Sequence, residues 1–316
     1  MTYWDKRAQE IIKDETMSDK EMSQEIERIV NNMIDDIENE ISKFYARYAD
    51  SEGIPINEAK KRVDNFDVQS FANKARSYVK NNDFSDRANR ELKQYNTAMY
   101  VNREKLLKAQ LGLIVTYSYA RIEQSIYNYM ESSYYRSLEQ QAGILGETIH
   151  VSLNDVKTIV TAPFQNSNWS RRLWRDMKVV RAHVEKATSQ VLLRGRHPYE
   201  FVKEFRKETG NSTYEIRRLL ITETARVQTL AAKRHMLEQH GPEAEYEYHA
   251  KIDGKTTKTC RSLNGKVFKV KDMKPGVNAP PMHPFCRSAV APHVDPNWRE
   301  EFFEERKGRY FGGVVK

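Results

Sequence analysis

Both cysteines of the chain lie near a histidine towards the C-terminus, in an arrangement that could bind a metal ion. Cys286 follows His283 by three residues, and Cys260 lies 26 positions before Cys286. Zinc prefers thiolate sulfur and imidazole nitrogen as ligands, and His293 could provide a fourth. The alternative is that both cysteines are small buried residues in a turn-rich segment. The residue types therefore predict either a zinc site of Cys260, His283 and Cys286 or two buried thiols.

The common signatures of other enzymatic chemistry are absent from the sequence. There is no glycine-rich dinucleotide loop, no phosphate-binding P-loop, no His-Glu-x-x-His helix and no nucleophile elbow. These motifs position phosphates, metal ions or nucleophiles at fixed spacings, so their absence excludes the usual nucleotide-binding classes.

The spacing of apolar residues changes after Pro242, from a helical pattern to one typical of strands. Apolar residues then alternate with polar ones, as expected of a strand, at Tyr246, Tyr248, Ala250 and Ile252. Asp253-Gly254 and Asn264-Gly265 are both typical hairpin turns. The pattern predicts a small β-containing module that carries the Cys and His residues.

The first half of the chain is predicted to be helical. Its apolar stripe has helical spacing and consists of Ile26, Val30, Met33, Ile37, Ile41, Phe44 and Tyr48. Gly53 and Pro55 should end this helix, and Asn57 could cap the next one. Further helices are expected at about 67–80, 84–109 and 113–141, where no proline occurs.

A loop is expected over about 142–170, followed by a basic helix that Gly195 and Pro198 should end. The next predicted helices are 199–208 and about 214–240. Gly210 should separate these two helices, and Ser212 or Thr213 should cap the second.

Positive charge is concentrated in the second half of the chain. The chain has 52 basic and 44 acidic residues, a net charge of +8, while residues 1–50 alone sum to −6. A basic surface can bind a polyanion, nucleic acid first, or can simply be a solvated face. The candidate phosphate-binding residues are Arg171, Arg172, Arg175, Lys178, Arg181, Lys255, Lys258, Arg261 and Lys266. No base-reading set accompanies them, so any binding should be sequence-tolerant and salt-sensitive.

The motifs over about 170–292 resemble those of the phage Mu protein F-like, or phage head morphogenesis, minor head proteins. The matching positions begin at Leu219–Thr224 and end at Cys286-Arg287. They include Thr222, Glu223, Asp253, Cys260, Gly265, His283, Pro284 and Arg287. The N-terminal Tyr3-Trp4-x-x-Arg7 is also similar to the start of minor head proteins from siphophages of Gram-positive hosts.

Two positions depart from the family's pattern. Its first cysteine falls on Thr257 and its last on Ser288, so this chain keeps half of the cysteine set. Cys260 and Cys286 could then face each other, reduced, in the core. Thr257 and Ser288 would replace metal coordination with hydrogen bonds.

The resemblance also draws attention to Glu223. The family has been compared with the ADP-ribosyltransferase fold, in which a glutamate orients the nicotinamide ribose, and Glu223 could be a relic of that residue. The alternative is an ordinary surface or half-buried ion pair with Arg226, three residues further along the helix.

Together the patterns predict a mainly α protein with long N-terminal helices, a helical middle and a small α+β C-terminal module. The predicted divisions are an N-terminal helical region over 1–142, a linker or loop over 143–170, the helical part of the Mu F-like domain over 171–242, a β-containing Cys/His module over 243–296 and a tail over 297–316.

The resemblance implies a minor head protein of a tailed phage rather than an enzyme. Its expected partners are the portal, other head proteins and double-stranded DNA, and ejection with the genome would let it protect the genome's ends. It should lie inside the phage head, after assembly in the host cytoplasm. No apolar run approaches the roughly 18 residues of a membrane helix, and two cysteines suit a reducing compartment. The alternative is an ADP-ribosyltransferase-like or metal-dependent enzyme, with zinc as the only cofactor considered.

Overall fold

In the computed structural model, the chain is described over residues 3–49, 65–80, 82, 84–93, 103–142, 153–194 and 198–293. Across these residues the protein is mainly α with one small antiparallel sheet near the C-terminus, which confirms the predicted fold class. The predicted helix stop at Gly53 and Pro55, the cap at Asn57 and the tail over 297–316 lie outside the described residues.

The chain divides into two compact units that are not consecutive in sequence. Unit 1 consists of Met1–Thr16, Tyr134–His150 and Ala225–Lys316. Unit 2 consists of Met17–Ser133 and Val151–Thr224. The three longest helices each contribute residues to both units.

The helices of the structure are long and carry apolar stripes. They are α1 Tyr3–Ala49, α2 Asn65–Lys80, α3 Asp86–Lys93, α4 Arg103–Ala142, α5 Leu153–Thr161, α6 Trp169–Arg194 and α7 Pro198–His240, followed by the short α8 Lys258–Leu263. The stripe predicted on α1 is buried from Ile26 to Phe44, including Met33 and Ile37, while the side chain of Tyr48 lies outside the described residues. Each such side chain contributes about 1.5–3 kcal/mol by leaving water, so the stripe fixes which face of α1 points inwards.

Two predicted helix breaks are absent. Helix α4 runs without interruption through 110–112, because Leu111, Leu113 and Ile114 are all buried and helical packing outweighs the weak propensity of Gly112. Helix α7 continues through Gly210 for the same reason, with Phe205 and Ile216 buried on either side.

The helix cap predicted at Ser212 or Thr213 is also wrong, because both residues lie inside α7. The Thr213 hydroxyl donates to the Thr209 carbonyl one turn earlier (2.7 Å), as hydroxyls do inside a helix.

The segment 143–170, predicted to be a loop or linker, contains α5. Val156 and Val160 of α5 are one turn apart and fully buried, which explains why this short segment is ordered as a helix.

The C-terminal module of unit 1 contains three antiparallel strands. They are β1 Glu245–His249, β2 Val267–Lys269 and β3 Ala289–His293, with β1 in the centre. Tyr246 is paired with Phe268 on one side and with Pro292 on the other. Tyr246 and Tyr248 are both buried, as the alternation predicts, and residues two apart share one face of a sheet.

Neither predicted hairpin turn joins two strands, because α8 lies between β1 and β2. Asp253-Gly254 leads into α8 instead, because the Asp253 carboxylate accepts from the Lys255 amide (2.8 Å) and the Thr257 hydroxyl caps the helix. The Asn264-Gly265 turn does return the chain to β1. The Gly265 amide donates to the Tyr248 carbonyl (2.8 Å), with Gly265 at φ +76°, where a residue without a side chain is favoured.

Among the described residues, no helix has the length and apolar character needed to cross a membrane.

The uninterrupted α7 predicts that Gly210→Ala stabilises the protein. A Cβ at this exposed helical position would meet no atom within 4 Å. Alanine is favoured over glycine inside a helix by about 0.5–1 kcal/mol, so the free energy of unfolding should rise by that amount in a urea titration. The contrasting variant is Gly265→Ala, whose positive φ should make it destabilising by about 1–2 kcal/mol. Loss of stability in Gly210→Ala would show that α7 breaks at this point.

Candidate functional site

The predicted cysteine and histidine residues lie together in unit 1. Cys260 lies on α8, while His283 and Cys286 lie in the loop that precedes β3. The two sulfur atoms and one ring nitrogen of His283 are all within 4.8 Å of one another, and the sulfurs are 3.9 Å apart. Both cysteines are buried and free, and Tyr248 and Ala250 pack beside them. The structure therefore brings three zinc-type donors to one point.

A tight turn holds His283 and Cys286 in place. The Cys286 amide donates to the His283 carbonyl (3.1 Å), and Phe285 between them has φ +60°. The carbonyl of Pro284 accepts a hydrogen bond from Nδ1 of His283 (2.7 Å). These backbone bonds fix both the ring and the thiol before any ligand is present.

Hydrogen bonds also perturb both thiols. The Cys286 thiol donates to Cys260, which lowers the pKa of Cys260, and the hydroxyls of Thr257, Tyr248 and Ser288 act in the same direction. The pKa of Cys286 is raised because it supplies that hydrogen bond and because it is buried. Burial raises the pKa of the Tyr248 hydroxyl, which stays protonated and donates to the Cys260 sulfur at 3.3 Å.

Thr257 and Ser288, which occupy the positions of the family's other two cysteines, both interact with Cys260. The Thr257 side chain accepts from the Cys260 amide (3.3 Å), and the Ser288 hydroxyl bonds to the Cys260 sulfur. His293, the fourth ligand considered from sequence, is not in the cluster. Strand β3 instead places its Nδ1 3.7 Å from a carboxylate oxygen of Glu247. The pairing register of β3 with β1 explains this difference.

Glu223 is not the surface or half-buried residue considered from sequence. It is 0% exposed, and its Oε1 accepts from Nη1 of Arg172 at 3.1 Å. The same guanidinium donates to the carbonyls of Phe164 and Ser167, so Arg172 joins α7 to the loop that precedes α6. Arg172, predicted to bind DNA, therefore has its guanidinium committed within unit 2, and Glu223 serves the packing of two helices.

Sequence reasoning missed a buried polar network in unit 2. The Tyr119 hydroxyl donates to Asp176 (2.6 Å) and lies 2.5 Å from the Ser212 hydroxyl, which also bonds to Asp176. Burial, and then the charge of Asp176, raise the pKa of Tyr119. The available signal was the position of Ser212, which is four residues before Ile216 on the buried stripe of α7.

The basic residues of α6 separate into two groups. Arg171, Arg175 and Lys178 are exposed at helical spacing, and within the described part of the chain none of them forms an ion pair. We call these three residues the α6 basic strip. Arg181 is only half-exposed and lies 4.0 Å from Glu91 and 3.8 Å from Glu185. Three of the five predicted residues on this helix thus present an uncompensated charge to solvent.

The predicted basic residues of the C-terminal module are all exposed. They are Lys255, Lys258, Arg261 and Lys266. The guanidinium of Arg261 donates to the Asp253 carbonyl (2.9 Å), so this side chain also braces the turn before α8. The three lysines leave a second basic surface, within unit 1.

The remaining motif residues have structural contacts. The Thr222 hydroxyl donates to the Arg218 carbonyl (2.7 Å) on its own helix. Arg287 is buried and donates to the Gln228 side chain of α7 (3.2 Å), which ties the loop before β3 to that helix. Together with the turns at Asp253, Gly265 and Pro284, these contacts shape the module around the two cysteines.

Residues 182–291 match the family described as phage Mu protein F like protein. This match covers about a third of the chain, from within α6 into β3, and confirms the resemblance carried by the motifs. It indicates a phage head morphogenesis protein with a place in the virion. No curated protein and no solved structure matches the chain.

The buried ion pair predicts that Arg172→Met strongly destabilises the protein. Removing one partner of a buried pair typically costs about 3–5 kcal/mol, because the other charge loses its compensation. The matched control is Arg171→Met on the adjacent exposed residue, which should change the free energy of unfolding by less than about 0.5 kcal/mol. Equal effects of the two variants in urea unfolding would contradict the assigned role of Arg172.

Proposed function

We propose that the protein is a minor head protein of a tailed phage that associates with the portal and contacts the packaged double-stranded DNA without sequence preference. The phage Mu protein F-like match carries this proposal. The basic surfaces support the DNA contact, and the acidic N-terminal region supports separate contacts with protein partners. The protein would act by binding and positioning, with no reaction assigned to it.

The α6 basic strip suits a DNA backbone. Arg171 and Lys178 are seven residues apart, which is about 10 Å along a helix. Each DNA strand carries a phosphate about every 3.4 Å along the axis, so the strip spans about three phosphates. Because its side chains are exposed and lack ion pairs within the described residues, they are free to replace counterions on DNA.

Neutralising the strip should weaken DNA binding and flatten its salt dependence. Each phosphate contact contributes about −0.9 to the slope of log K against log salt concentration, so three contacts contribute about −2.7. The variant Arg171→Gln, Arg175→Gln, Lys178→Gln should therefore show a slope smaller in magnitude by about 2–3 in a binding titration across salt concentrations.

The control for this experiment removes the same charge from α1. Lys6, Lys13 and Lys20 are exposed and lie in the acidic region, and their substitution by Gln lowers the net charge equally. If the α1 variant weakens DNA binding as much as the α6 variant, overall charge rather than the strip accounts for binding. If neither variant nor wild type binds at low salt, the DNA contact is wrong and the protein acts as an assembly adaptor.

If the protein contacts the packaged genome, its distribution between full and emptied particles can be predicted. A protein that leaves with the genome and protects its ends should prefer linear DNA to covalently closed circles. It should also be depleted from capsids that have ejected their DNA, which a quantitative immunoblot of full and emptied particles would measure. Retention in emptied capsids would refute ejection while leaving the portal and DNA contacts in place.

The portal contact is proposed for the N-terminal helical region. Its net charge of −6 over residues 1–50 makes it a poor DNA ligand, and acidic residues such as Asp14 and Glu21 are exposed on α1, where a basic protein partner could contact them. Co-purification of portal protein with the full chain, and its loss when the exposed Asp14 and Glu21 are both replaced by Lys, would support this assignment. Continued co-purification would move the contact elsewhere on the chain.

A further inference from the structure

We propose that Cys260, Cys286 and His283 bind one zinc ion that joins α8 to the loop before β3. The three residues offer two sulfurs and one imidazole nitrogen, a donor set that suits zinc better than calcium or magnesium. All three residues lie in unit 1, and zinc binding there requires neither DNA nor the portal.

The separation of the two sulfurs is that of zinc ligands. A Zn–S bond is about 2.3 Å long, and tetrahedral angles then place two sulfurs about 3.8 Å apart. The observed distance is 3.9 Å. A disulfide requires about 2.0 Å, so the cysteines would have to move much further to bond to each other than to bind zinc.

The histidine is held as a metal ligand would be. Because the Pro284 carbonyl can only accept, Nδ1 of His283 must carry the proton of their 2.7 Å hydrogen bond. In the neutral ring, Nε2 then keeps the lone pair that a metal needs. Ligating histidines in proteins almost always donate their other ring N–H to a carboxylate or carbonyl, which fixes the tautomer and the ring orientation.

The groups around the sulfurs would support bound thiolates. The Cys286 sulfur receives hydrogen bonds from the backbone amides of Met282 and Ser288, and the Cys260 sulfur receives one from the Tyr248 hydroxyl. Zinc carries two positive charges and two thiolates carry two negative ones, so the occupied cluster would be neutral. Neutrality matters here because both cysteines are buried, where a net charge is costly.

With three protein ligands, one of the four coordination positions of a tetrahedral zinc ion remains open. A water molecule would complete the shell. The ion would link Cys260 of α8 to a turn more than 20 residues away. It would thereby stabilise a core cluster that is otherwise small, formed by Tyr248, Ala250 and the two cysteines.

Cobalt binding to the reduced, metal-free full chain tests the site directly. Co²⁺ should bind in a 1:1 ratio and produce thiolate-to-cobalt absorption in the near ultraviolet with the intense visible bands of tetrahedral coordination. Zn²⁺ should then displace it and abolish both bands. The midpoint of thermal unfolding should rise as the zinc concentration is increased, since a ligand that binds only the folded state stabilises it.

Variants locate the ligands. His283→Gln should weaken Co²⁺ binding by at least about tenfold, while His293→Gln, the same change in the same module, should leave binding unaltered. Cys260→Ser and Cys286→Ser should abolish the thiolate absorption. Tyr248→Phe, which removes only a hydrogen bond to sulfur, should weaken binding by about 10–100-fold.

Several outcomes would overturn the proposal, and the first needs no variant. Wild-type protein that is folded and reduced but shows neither Co²⁺ absorption nor a zinc-dependent rise in the unfolding midpoint has no such site. Equal weakening by His283→Gln and His293→Gln would remove His283 from the ligand set. Thiols that react with a thiol reagent at the same rate with and without zinc would leave only a pair of buried cysteines.

Discussion

A carboxylate that has lost its contact with water must be compensated within the fold, and Glu223 is under this constraint in α7. The compensation comes from Arg172, whose guanidinium has five donors in a fixed plane and can serve several acceptors at once. It thereby fixes α6, α7 and the loop before α6 in unit 2. The ion pair between Arg172 and Glu223 therefore also fixes which face of α6, with its basic strip, is exposed.

The same constraint shapes the other polar groups of the interior. Asp176 is compensated by the hydroxyls of Tyr119 and Ser212, and Glu123 by those of Ser85 and Ser170. In unit 1, the sulfur of Cys260 is surrounded by hydroxyl groups in a comparable way. Hydroxyls are suited to this because they can rotate to donate to an anion.

The sequence predicts well those features that depend on local pattern. The apolar stripe on α1 repeats every three or four residues, which predicts a helix with one buried face. The chain has only two cysteines, and their position near His283 predicts the cluster that the structure contains. The helix break predicted at Gly210 was wrong, because packing on both sides of this residue keeps α7 continuous. Arg172 and Glu223 are 51 positions apart, so no local rule could pair them, and only the register of β3 shows that His293 turns to Glu247.

The division of the chain into units has a consequence for biosynthesis. Unit 1 combines Met1–Thr16 with segments that begin at Tyr134 and Ala225, and the Lys251 ammonium group bonds to the Thr16 hydroxyl across 235 positions. Closing such long loops is entropically costly and slow. Residues 1–16 must therefore wait until the segment that begins at Ala225 has been synthesised before all of their native partners exist. Unit 2, whose last residue is Thr224, has all of its residues earlier in translation.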